Sequence, residues 1–153
     1  MYQIITVLKN ITDRHRLHQI YTKSFLTILH LNIRSLQKNY DNLTSFLNCL
    51  RIQPHVIALT ETWLKDTNQH HFHLAGYSTY HFLRMNKEHG GVSLLINSDI
   101  HSEPIHQHTF VNETMEICSY CAINLKLQTH LIISVIYRPH SKHVAVEEFT
   151  LIS

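Results

Sequence analysis

Glycine and proline are each limited to three residues in a chain of 153, and charged side chains make up only 16%. Such scarcity of chain breakers and charge is unlike a disordered linker. No uninterrupted apolar stretch reaches the roughly 20 residues of a spanning helix, so the chain is expected to be soluble, not membrane-spanning. Residues 1–9 have no cationic stretch ahead of their brief apolar segment and no small-residue cleavage site, so they do not read as a secretory signal. Cys49, Cys118 and Cys121 are an odd number without a framework, which suits a reducing compartment. The expectation is an intracellular protein, in nucleus or cytoplasm, with no obligate protein partner evident.

A hydrophobic share of 44% over 153 residues is enough for one domain with a real core, and two complete catalytic domains do not fit. The formal charge of +2 is compatible with a phosphate-bearing partner without requiring one. The chain has fifteen histidines, and because free imidazole titrates near pH 6.5 the surface is expected to become more cationic in mild acid and more adhesive to nucleic acid.

Residues 1–25 mix Arg14, His15, Arg16, His18 and Lys23 with scattered apolar positions and read as a leader of uncertain order, ahead of a domain over 26–153. Leu26-Thr-Ile-Leu-His-Leu-Asn32 reads as a buried strand. Tyr40, Leu43, Phe46, Leu47 and Leu50 then recur at helical spacing, with Pro54 as the stop. Val56-Ile-Ala-Leu-Thr-Glu61 follows as a second strand. Strand, helix, strand is a βαβ unit with parallel neighbours, so Asn32 and Glu61 end on the same side. Residues 65–73 read as a loop or short helix. Strands are expected over 77–82, over 92–96 after the turn signal Gly90-Gly91, and over 105–111, 116–127 and 131–137, with short connections that suggest antiparallel pairing. Residues 144–153 begin a helical pattern.

Three of the strand runs stop on polar residues, Asn32, Glu61 and Tyr137, where open α/β sheets place ligand groups. A carboxylate at the end of a buried strand is costly unless it binds a cation or finds donors. Mg2+ suits it, since that ion takes one or two protein carboxylates and keeps waters and phosphate oxygens. Each residue also has an ordinary reading: Glu61 as a solvated loop edge, Asn32 as a turn former, Tyr137 as a half-buried aromatic.

Five segments shift that balance: Leu31-Asn-Ile-Arg-Ser-Leu36; Pro54-His-Val-Ile-Ala-Leu-Thr-Glu-Thr-Trp-Leu64; Gly76-Tyr77; Arg84 followed by Gly90-Gly91-Val92; and Tyr137-Arg-Pro139. In this order they resemble the first half of the endonuclease/exonuclease/phosphatase superfamily, in the branch carried by retrotransposons without long terminal repeats. The resemblance runs from about residue 25 to 153. It implies part of a four-layer α/β sandwich of the DNase I-like kind, a mixed sheet with flanking helices. The implied activity is Mg2+-dependent nicking of DNA, with Mn2+ an alternative metal. Glu61 matches the family's metal ligand, Asn32 the residue that orders the phosphate surroundings, and Tyr137 the one against the scissile phosphate. Glu116 matches a supporting glutamate that opens the preceding strand. Arg34, Lys38, Arg84, Lys87 and Arg138 surround the rim as phosphate contacts, though a solvated face explains such charges equally well.

Relatives continue with Gly-Asp-Phe-Asn and Ser-Asp-His segments that act on water and the transition state, and neither occurs in the 153 residues. His89, His55 and His140 stand where glycine, aspartate and proline are usual. The expectation is a truncated domain with negligible nuclease activity alone. Its rivals are a non-enzymatic transposon remnant and another superfamily member such as a lipid or inositol phosphatase. A zinc module is more remote. Cys118 and Cys121 lie three apart in an expected strand and point to opposite faces, and the clusters His70, His71, His73 and His101, His106, His108 read as surface histidines.

Overall fold

The structure, a computed structural model, describes residues 3–6, 26–84, 89–105, 109–111, 116–124 and 129–137. Its elements are β1 (Gln3–Thr6), β2 (Thr27–Asn32), α1 (Leu36–Asn48), β3 (Val56–Thr60), β4 (Tyr77–Phe82), β5 (Val92–Asn97), β6 (His101–Pro104), β7 (Phe110–Val111), β8 (Glu116–Asn124) and β9 (Thr129–Tyr137). The architecture is α/β. A mixed five-stranded sheet runs in the order β1-β2-β3-β5-β4. Within it only β2 and β3 are parallel, with Ile28 opposite Val56 and Asn32 opposite Thr60, so the expected βαβ unit is present. β1 lies in the stretch read as a leader and pairs antiparallel to β2.

The second sheet is antiparallel. β9 pairs with β8 from end to end, so β6 and β7 share the opposite edge of β8, at Tyr120–Ile123 and Glu116–Ile117. The strand expected over 105–111 is therefore displaced: one segment comes earlier, at His101–Pro104, and another is confined to Phe110–Val111. The polar His-Ser-Glu-Pro sequence hides an edge strand from any search for apolar runs. Its proline is tolerated because an edge leaves one row of amides unpaired.

β3 is buried along its whole length, which requires cover on both faces. Val56 and Ala58 pack with Val92, Leu94, Ile96, Ile133 and Val135 between the two sheets. Ile57 and Leu59, alternating with them, pack with Leu29, Leu31 and Leu95 against Leu36, Leu43 and Leu47 of α1. Helix, mixed sheet and second sheet are thus three stacked layers, with the mixed sheet in the middle.

α1 starts a turn before its expected periodic stretch. Ser35 caps it, its hydroxyl accepting from Lys38 N at 3.3 Å, the ordinary role of serine there. Its end is not set by Pro54 as expected. The helix stops at Asn48, where the Leu47 carbonyl accepts from Leu50 N at 3.0 Å and from the Gln53 side chain at 2.9 Å. Residues 65–73 form a loop with one 3-10 turn at Gln69–His71. No helix among the described residues is long and apolar enough to cross a membrane. The helical pattern expected over 144–153 lies outside the described residues.

Candidate functional site

Parallel pairing of β2 with β3 brings Asn32 opposite Thr60, so Glu61 begins its loop beside Asn32. The Asn32 amide donates to Glu61 Oε1 at 2.8 Å. Tyr137, the last residue of β9, donates its hydroxyl to the same oxygen at 3.3 Å. Asn32 is exposed, and Glu61 and Tyr137 are half-buried. The three strand-end residues therefore converge at one rim where both sheets finish. Glu61 Oε1 receives both bonds, while no protein donor among the described residues is bonded to Oε2.

The loops at this rim depart from ordinary backbone. Arg34, Ser35, Glu61 and Trp63 have φ of 44°, 83°, 55° and 54°, in the left-handed region that costs non-glycine residues energy. Hydrogen bonds hold them there. Ser35 N donates to Glu61 O and Leu36 N to Thr62 O, at 2.9 and 2.8 Å, extending the β2–β3 pairing into the start of α1. Thr62 N and Trp63 N donate to Gly91 O and Gly90 O at 3.1 and 2.9 Å. A side chain at Gly91, with φ 81°, would put its Cβ 2.7 Å from Thr62 Oγ1. Gly91 is thus required for the close approach of the β5 entry to the Glu61 loop.

The other candidates are spread around this centre. Arg34 and Lys38 are exposed at the entrance to α1, next to the Ser35–Glu61 bond, and Arg84 is half-buried beyond β4. Glu116 opens β8 directly across from Tyr137 in the register. Lys87 and Arg138 lie outside the described residues. The donor set suits Mg2+: one rim carboxylate has an oxygen to spare, and Mg2+ binds through one or two carboxylates while keeping water. Among the described residues no group of three or more His, Cys, Asp or Glu is placed to hold a metal as a protein cage.

His70, His71, His73 and His101 are exposed, and His101 approaches Glu103 at 3.3 Å. His106 and His108 lie outside the described residues. On β8 the register sets Cys118 opposite Val135 and Cys121 opposite Ile132.

One polar pair lies outside the residues expected from the sequence. His81 Nδ1 lies 2.7 Å from Ser93 Oγ and its Nε2 3.2 Å from the Phe72 carbonyl. A carbonyl only accepts, so Nε2 carries the proton and Nδ1 accepts from the serine. Ser93 is fully buried, out of reach of any substrate, so the pair is structural. Burial holds the His81 pKa below its usual value, reinforced by His73 and His70 and opposed by the Phe72 bond. Adjacent polar positions on two expected hairpin strands were the available signal.

No protein-family model matches this chain, and no curated protein matches it.

Proposed function

We propose that this chain carries the metal- and phosphate-holding part of a Mg2+-dependent, DNA-nicking phosphodiesterase domain, of the DNase I-like kind found in retrotransposons without long terminal repeats. The observation that carries the reading is the convergence of Asn32 and Tyr137 on one oxygen of Glu61. Two donors on Oε1 orient the carboxylate, so that Oε2 is the oxygen presented to a cation. Glu61 would hold Mg2+, which when bound supplies Lewis-acid polarisation of a phosphoryl oxygen. The Asn32 amide and the Tyr137 hydroxyl, each within reach of the same position, would order the phosphate beside it. Arg34 and Lys38 at the entrance to α1, with Arg84 and Arg138, would meet neighbouring DNA phosphates. Glu116, across the ladder from Tyr137, would support that strand end.

Neither Asn32 nor Tyr137 is a general base for water. Losing general acid–base help costs about 10²- to 10⁴-fold in rate, and losing transition-state electrostatics adds to that. The expected behaviour of the 153-residue chain is therefore binding with negligible turnover. Calorimetry should show Mg2+ binding that is strengthened by a short oligonucleotide and lost in Glu61→Ala, while supercoiled plasmid stays uncut. Mg2+-dependent nicking abolished by Glu61→Ala would overturn the negligible turnover, and Mg2+ binding indifferent to Glu61→Ala would overturn the site.

A further inference from the structure

Trp63 is the only tryptophan in the chain. Its indole lies against the His89 imidazole, ring centroids 4.4 Å apart and planes tilted by 48°. His89 is exposed, so the pair reaches the surface through the imidazole. The backbone holds both partners in place, because Trp63 N donates to Gly90 O, the residue after His89, at 2.9 Å. Trp63 is two residues beyond Glu61, which keeps their Cα atoms within about 7.6 Å.

Two costs meet at Trp63. Its φ of 54° is left-handed, and its buried indole Nε1 has no hydrogen-bond partner among the described residues. A tryptophan that only fills a core ordinarily finds an acceptor for its N–H. Backbone strain clusters where binding sites are built, and Trp63 shares it with Arg34, Ser35 and Glu61.

We propose that Trp63 and His89 form a nucleobase-stacking subsite, in which the imidazole, backed by the indole, receives the base of a nucleotide whose phosphate lies at Glu61. The inference rests on the phosphodiesterase reading and adds to it a preference for DNA with unpaired bases. Every base has a π-face, so the subsite tolerates any sequence. A base inside a duplex is already stacked on its neighbours, so single-stranded or locally opened DNA is favoured.

The test titrates the 153-residue chain, with Trp63 as its own fluorophore, with oligothymidylate and with an abasic strand of equal length, each with and without Mg2+. Oligothymidylate should quench Trp63 emission and bind about tenfold more tightly than the abasic strand. His89→Ala should bring the two affinities together, and His89→Phe, which keeps a ring, should restore the difference. Equal affinities in the unaltered chain, an undiminished difference in His89→Ala, or no recovery in His89→Phe would each overturn the subsite. The phosphodiesterase reading is judged on the other arm: Mg2+ should tighten binding of the abasic strand, and Glu61→Ala should remove that gain. Absence of the gain defeats that reading whatever happens at His89.

Discussion

At Glu61 the backbone leaves the extended path of β3 for a φ of 55°, and the carboxylate then meets Asn32 and Tyr137. Hydrogen bonds to Ser35 and to the Gly90–Gly91 turn hold this loop, and the approach is so close that an added Cβ at Gly91 would lie 2.7 Å from Thr62 Oγ1. Gly76 has the same φ of 81° with nothing within 4 Å of a built Cβ. Gly76→Ala should therefore cost only the left-handed penalty, about 1–2 kcal/mol, whereas Gly91→Ala adds a clash and should cost at least twice as much in urea denaturation. Equal costs would show that Thr62 yields freely. His81 provides a second residue-level test. Its folded pKa is lowered from 6.5 chiefly by burial, so its stability contribution is full above pH 6.5 and is lost as pH falls through the folded value. Urea midpoints should drop on acidification below pH 6.5, and less steeply in His81→Gln. His30, lowered by the same cause, should keep some of that slope. An identical slope in His81→Gln would remove His81 from the effect.

The elements differ in how openly the sequence announces them. β3 and β5 are apolar over most of their length and α1 repeats leucine at helical spacing, so their existence is a local property of the chain. β6 is polar and ends in proline, and its pairing depends on β8, whose partner residues are 16 to 22 positions further along the chain. The end of α1 is hidden from the sequence for a similar reason: Gln53 reaches back to the Leu47 carbonyl, a contact that no spacing rule contains. β9 shows both faces of a strand at once. Ile133 and Val135 are buried, whereas Ile132 and Ile136 are 60% and 39% exposed. Ile133→Ala should cost roughly 2–5 kcal/mol by opening a cavity between the sheets, and Ile132→Ala should stay within about 1 kcal/mol. Similar losses at both positions, read from chemical denaturation, would mean that the outer face of β9 is covered in solution.

At the scale of the molecule, stacking decides what the rim contains. Asn32 and Glu61 come from neighbouring parallel strands of one sheet, and Tyr137 comes from the other sheet, 76 residues beyond Glu61. The core of Val56, Ala58, Val92, Leu94, Ile133 and Val135 sets the distance between the sheets and with it the reach of the tyrosine. The sequence alone determined the α/β class, the βαβ opening and the shared end of Asn32 and Glu61, because period, turn chemistry and crossover handedness act over short stretches of chain. Only the tertiary structure decided that Asn32 and Tyr137 share one oxygen of Glu61, that four non-glycine residues are held at positive φ around it, and that His89 covers Trp63. Those outcomes depend on how two sheets and two loops pack across the core, and contacts between residues far apart in sequence leave no periodic trace in it.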